Sequence, residues 1–309
     1  MNFSLIILAS SVFIGLIFPA LSSWLNDMMF VSLFCIMLFS LMQIDFIGIG
    51  LKIRANLIAV AAMVIVQMVV FPIVLFLFYL AFDIDSSIGY YVLLVAGAGS
   101  VFGTPAFAGL LGLDRTQALL GVIATTLLLP LTMLLILPLV IMTENQAGSA
   151  FDFSIYVSRI GLFIILPLGL SAIYQMLKKF VGRGRQDEIL NIAVLIALVI
   201  FAISVMDGVA QKWVESPGLV AELFAWVMII HTLFYFVSYF CFRHLGVQTA
   251  VAAGMLSAYR NLGLVVAISG PFLTNDFLIF VGLWQIPMYL SPLCLSLIHR
   301  KKQSITKSR

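Results

Sequence analysis

Charge is what this sequence has least of. Of its 309 residues only 16 are Lys or Arg and 13 are Asp or Glu, a 9% share, against 63% hydrophobic residues. Soluble domains carry about 25% charged and 45–50% apolar residues, so a water-facing globule is excluded. A surface facing hydrocarbon needs little charge, and the mean hydropathy of +1.19 agrees. Cysteine is scarce too. Cys35, Cys241 and Cys294 are odd in number, far apart and each set in an apolar run, which argues against a disulfide framework and a cysteine metal site. Enzyme signatures are missing: there is no Walker loop, no strand-linked Gly-x-Gly-x-x-Gly, no His-Glu-x-x-His and no Gly-x-Ser-x-Gly. The sequence therefore predicts no enzyme, no cofactor and no ATP-driven pump. A net charge of +3 gives no reason to expect nucleic acid as a partner.

What is present is a series of apolar runs. A span needs about 20 mostly apolar residues. Ten runs qualify, at roughly 4–22, 28–50, 56–82, 88–110, 117–142, 153–177, 189–209, 218–242, 247–270 and 277–298. Such runs are too long and too uniformly apolar for barrel strands, so an all-α membrane protein with ten transmembrane helices is predicted. The chain opens Met1-Asn2-Phe3-Ser4 without a basic region, so the first run is read as a retained span. No connection is long enough for a soluble domain, and the lipid bilayer is the one partner surface expected, with no obligate protein partner.

Lys and Arg in the loops set the orientation. With the N-terminus cytoplasmic, the inside connections hold Lys52, Arg54, Arg115, Lys178, Lys179, Arg183, Arg185, Arg243, Arg300, Lys301, Lys302, Lys307 and Arg309, whereas the outside ones hold only Lys212. Both termini are therefore expected in the cytoplasm, and the short loops suggest a bacterial inner membrane. Trp24 and Trp213 near span ends read as interfacial belt residues.

An internal repeat organises the chain. Gly97-Ala98-Gly99-Ser100 in the fourth run and Gly254-Met255-Leu256-Ser257 in the ninth both read Gly-x-x-Ser, 157 residues apart, and the same offset aligns Pro130 with Pro287 and Thr104 with Asn261. Two five-helix halves follow, residues 1–145 and 150–299, with 300–309 as a basic tail. Five is odd, so the second half enters the membrane from the opposite side, an inverted repeat of the kind used by secondary transporters. A chance match between two apolar stretches is the competing reading.

The fourth and ninth runs are also the most broken. The stretch 97–112 is rich in Gly and carries Pro105, while 252–271 holds Gly254, Gly263, Gly270 and Pro271. Gly and Pro interrupt helices, and freed backbone groups persist in a bilayer only against protein or a wet cavity. Paired interruptions point to a binding site near the membrane midplane; close packing through small residues is the alternative. Arg260 stands in the ninth run, where a charge costs at least about 2.5–3.5 kcal/mol on insertion scales. Two uses are open. It binds an anionic group of a solute through its fork, or it acts as a fixed cation between broken helices; a purely structural partner for carbonyls is the plain reading.

Gln67, Ser100, Thr104, Ser257 and Asn261 are polar groups that together make a candidate oxygen cage. Thr125 and Thr126 precede Pro130 and either join it or bond back to their own helix. His231 in the eighth run is either a core histidine or a proton carrier. Asp45 and Asp207, near the ends of the second and seventh runs, either line a vestibule or sit at the interface.

These residues carry a resemblance. The stretches Gln67-Met-Val-Val-Phe-Pro72, Gly97 through Pro130, His231 and Ser257-Ala-Tyr-Arg-Asn-Leu-Gly-Leu264 resemble the bile acid:sodium symporter family, within a wider group that includes auxin-efflux-type carriers. The resemblance implies two inverted five-helix repeats, with runs one, two, six and seven as a panel and the rest as a core. Broken helices four and nine would cross in that core, sodium sites would lie behind the crossing, and substrate would bind between panel and core. It implies sodium ligands at Gln67, Asn261 and Thr125 or Thr126. It also places an acidic ligand of the family at Leu256, a glutamine at Arg260, and a polar pair near Ala106 and Phe107. Loss of the anionic ligand argues against sodium coupling in its usual form and leaves uniport or proton coupling open. The reading is a secondary active transporter of a small organic anion. An auxin-efflux-type exporter and a non-transporting membrane sensor are the alternatives.

Overall fold

The structure is a computed structural model and describes residues 3–44, 46–82, 86–113, 115–143, 151–181 and 186–307. Every regular element among them is helical. In chain order they are α1 (Phe3–Ile17), α2 (Pro19–Asn26), α3 (Met29–Met42), α4 (Phe46–Ile65), α5 (Phe71–Phe82), α6 (Ser86–Ala96), α7 (Thr104–Leu110), α8 (Arg115–Thr143), α9 (Phe153–Ile160), α10 (Leu166–Val181), α11 (Gln186–Ser204), α12 (Val209–Glu215), α13 (Pro217–Phe242), α14 (Val247–Ala258), α15 (Leu262–Ser269) and α16 (Asn275–Lys307).

Among the described residues six helices are long and apolar enough to cross a membrane: Asn56–Phe82, Arg115–Val140, Phe153–Lys178, Glu188–Glu215, Pro217–Leu245 and Asn275–Leu295. A seventh is added if α1 and α2, bent by 102° at their junction, are taken as one. Ten runs were expected, and the difference has local causes. Pro19 opens α2 and Phe18 before it is non-helical, so the first run folds back on itself rather than crossing as one rod. The second run stops at Met42 rather than residue 50. There the Gln175 side-chain amide donates to Met42 O at 2.6 Å and Ile44 O at 2.9 Å, so α3 can end without orphaned carbonyls. The expected loop at 52–56 is instead inside α4. The fourth and ninth runs are each two short helices, as their Gly and Pro content predicts.

Proline shapes the long helices. Pro72 has no N–H for Met68 O and its ring presses on that carbonyl. The helix absorbs this in a π turn, Val66–Val70, in which the Phe71 N–H reaches back to Val66 O. The same device recurs before Pro167, where Gly161–Ile165 is a π turn and the Leu166 N–H bonds Gly161 O.

Helices pack in two sets that also meet each other, α1 touching α16 and α15 touching α3 and α9. α3 and α11 pack together with α1, α2 and α10, while α13 packs on α14 and α16, and α8 on α4, α7 and α14. Side chains turned outward are apolar: Ile58 is 87% exposed, Leu135 72% and Met176 66%. Surfaces of this kind are compatible with a multi-pass membrane protein. The aromatic core lies in the second set, where Phe234, Tyr259, Phe277, Phe280 and Trp284 are fully buried.

Candidate functional site

The two interrupted helices cross at their breaks. α6 ends at Ala96 and α7 starts at Thr104; α14 ends at Ala258 and α15 starts at Leu262. Ser100 and Arg260 face each other as an antiparallel bridge. The Val101 N–H donates to Tyr259 O at 2.8 Å and the Asn261 N–H donates to Gly99 O at 2.7 Å. These two bonds exchange with one another when the two breaks are exchanged. The register differs from the Gly-x-x-Ser alignment: Ser100 meets Arg260, three residues beyond Ser257. Glycine is required at position 99, because a Cβ there would lie 2.9 Å from the Thr125 carbonyl oxygen of α8.

Broken helices free backbone carbonyls, and buried ones must find donors. Here Gly97 O accepts from the Thr132 hydroxyl at 2.7 Å. Leu256 O accepts from the Gln67 amide at 2.8 Å and the Ser100 hydroxyl at 2.6 Å. Gln67 also donates to Ser100 Oγ at 2.7 Å, and the Ser100 N–H donates to Thr125 Oγ1 at 3.0 Å. Thr125 in turn donates to Gly121 O of its own helix at 2.9 Å. The π turn that holds Gln67 thus aims it across the break.

Arg260 closes this account. Its Nη1 donates to Ala98 O at 2.7 Å. The guanidinium carbon lies 4.6 Å from the ring centre of Phe234 and 5.7 Å from that of Phe71. Those rings stack on each other at 4.7 Å. The side chain is 0% exposed, and its Nε and Nη2 have no hydrogen-bond partner. Among the described residues no carboxylate pairs with it.

The other expected residues are divided. Asn261 is the N-cap of α15, its Oδ1 accepting from the Leu264 N–H at 3.1 Å. Thr104 and Thr126 are buried with hydroxyls that have no partner. Ser257 lies inside α14 and accepts from the Ser238 hydroxyl at 2.6 Å, away from the bridge. His231 is buried in an aromatic cluster, ring centres 5.9 Å from Tyr259 and 5.5 Å from Trp284, with Ser291 Oγ 3.5 Å from Nε2. Gln67, Ser100, Thr125, Asn261 and Arg260 are thus brought together, and Ser257 and His231 stand apart. Asp45 lies outside the described residues.

Sodium ligands were expected at Gln67, Asn261 and Thr125 or Thr126. Most oxygens at the crossing are already engaged, although the Thr126 hydroxyl has no partner. Ser100 Oγ, Thr125 Oγ1, Asn261 Oδ1 and the carbonyls of Ala98 and Leu256 already serve protein donors. A second unit charge about 4 Å from the guanidinium would be repelled by about 4 kcal/mol even at an effective dielectric near 20.

A cleft runs beside the crossing, between the two helix sets. Two cavities mark it: an outer one of 310 Å³ is lined by Asn26, Phe30, Ser204, Asp207, Val266 and Asn275 among others. An inner one of 20 Å³ shares Leu33, Phe201 and Gly263 with the first and is lined also by Phe102, Arg260, Asn261, Leu262 and Gln285. Gln285 is buried, and its Oε1 has no partner. Arg159 braces the two sets near the cleft: Nη1 donates to Ala267 O at 2.7 Å, and the guanidinium lies 5.8 Å from the Phe30 ring. Thr132, Phe71, Phe234, Gln285 and Arg159 were not singled out in the sequence. Proximity to proline is the signal that could have found three of them, since Phe71, Thr132 and Gln285 stand within two residues of Pro72, Pro130 and Pro287.

No family model and no curated protein matches this chain.

Proposed function

We propose that the protein is a secondary transporter of a small organic anion, working by alternating access in a bacterial inner membrane with both termini cytoplasmic. The observation that carries this reading is the reciprocal crossing of two interrupted helices beside a 310 Å³ cavity that lies between two helix sets. Paired interrupted helices at corresponding places are the pattern from which secondary transporters build binding sites. The cavity volume suits a small solute. On this reading the set holding α3 and α11 and the set holding α13 to α16 rock against each other, and the solute rides in the cleft.

Local electrostatics supports an anion. α15 begins at the inner end of the cleft, and the first amides of a helix have no intrahelical acceptor and carry partial positive charge. Leu262 and Gly263, the first two residues of α15, line that end beside Gln285. Asp207 at the outer end disfavours a second negative charge on the solute, so a monoanion fits better than a dianion. Arg260, 0% exposed, is among the residues that line the inner end of the cleft.

The test is counterflow in vesicles containing the purified protein, using a panel of small carboxylates and sulfonates. Accumulation of a monoanion, competed by unlabelled solute, is expected. Absence of movement for the entire panel in folded, reconstituted protein would count against the reading.

A further inference from the structure

We propose that the guanidinium of Arg260 is a tethered cation that fills the place of a coupling ion, so that the protein folds and works without sodium and loss of the side chain leaves a vacancy a free cation can fill. The words coupling ion rest on the transporter reading; the occupancy itself does not.

Carbonyl ends of interrupted helices attract cations, because partial negative charge collects there. α6 and α14 both end at the crossing. The carbonyls freed there are matched one by one to neutral donors: Gly97 O to Thr132, Gly99 O to the Asn261 N–H, Leu256 O to Gln67 and Ser100, and Tyr259 O to the Val101 N–H. Ala98 O differs in being served by a charged donor, Arg260 Nη1. The charge is wholly buried, with no carboxylate beside it among the described residues. Its surroundings are instead two phenylalanine faces, whose π electrons attract cations, and the negative ends of two half-helices. Such surroundings suit a cation held for its charge.

A brace and a tethered ion predict different things. A brace is lost with its side chain, and dissolved ions do not restore it. A tethered ion can be replaced by a free one, as guanidinium in solution replaces a deleted arginine head group.

The experiment reads thermal unfolding of the purified full-length protein in detergent by tryptophan fluorescence, with no solute present. Wild type is expected to unfold at the same temperature in sodium chloride and choline chloride. Arg260→Ala is expected to unfold at a lower temperature in choline, and to recover saturably with millimolar guanidinium or with sodium. Arg159→Ala, which removes a half-buried arginine elsewhere, is expected to gain no such response. A wild-type midpoint that climbs saturably with sodium overturns the proposal. So does a folded Arg260→Ala variant blind to both cations. If Arg260→Ala cannot be purified folded, Arg260→Lys decides. A folded lysine variant indifferent to sodium supports the proposal; one that unfolds, or that comes to need sodium, overturns it. Because no solute is present, a protein that moves no anion would sink the transporter reading and leave this result untouched.

Discussion

Gly99 shows how little room the crossing leaves. A methyl group there would press on the Thr125 carbonyl at 2.9 Å, and backbone cannot step aside as a flexible side chain can. Gly99→Ala is expected to destabilise the protein by about 1–3 kcal/mol. Gly169→Ala is the control, because its Cβ meets nothing within 4 Å in the first turn of α10, which continues the helix before it. It is expected to be neutral or stabilising by up to about 1 kcal/mol. Thermal unfolding of the two variants side by side checks both. Gln67→Leu removes a buried donor from Ser100 and Leu256 O; a cost of about 1–3 kcal/mol is expected by the same measurement. At this scale the sequence was informative about which residues are unusual and poor at saying what they touch. A lone arginine in an apolar run is conspicuous from composition alone. The rings of Phe71 and Phe234 around it come from helices far away in the chain, and 26 phenylalanines give no hint of which two. Ser257, which a shared Gly-x-x-Ser aligned with Ser100, bonds Ser238, and the residue bridged to Ser100 is Arg260, three residues later.

Element boundaries tell a similar story. Where glycine and proline cluster, the breaks in the fourth and ninth runs were legible. The end of α3 at Met42 was not, because the group that satisfies it, Gln175, lies on α10. Nor was the 102° turn at Phe18, since a single proline in an apolar run is equally compatible with a mild kink. The start of α15 offers a test at this level. Asn261 caps it through a side-chain oxygen, so Asn261→Ala should cost about 1 kcal/mol and Asn261→Asp should retain the cap. If the alanine and aspartate variants unfold together, the cap is not what the amide provides.

Across the whole molecule, the cleft between the two helix sets is the feature on which the proposed transport rests. Phe30 and Val266 line the outer cavity from α3 and α15. Cysteines at both positions, with Cys35, Cys241 and Cys294 replaced by serine, can be joined by a short bifunctional thiol reagent. Joining them is expected to stop counterflow, and reductive release of a disulfide-linked reagent to restore it. Undiminished transport in the joined protein would mean that the sets do not move apart. Asp207→Asn removes the carboxylate from the cavity, and is expected to raise the affinity for dianions relative to monoanions. Two factors hid the cleft from sequence reading: it belongs to no single segment, and its walls are mostly as apolar as the lipid-facing surface.

The reciprocal pair of bonds at the bridge carries one more consequence. Val101 and Asn261 give their amide hydrogens across the break in opposite senses, so the two strands are riveted together at their weakest points. A rivet passes on displacement without bending. In the alternating access proposed above, both strands would travel as one piece, and the pivot would lie at the margins of the set that contains them. Deuterium uptake should therefore be slow at these two amides, and equally slow whether the protein is trapped open to one side or the other.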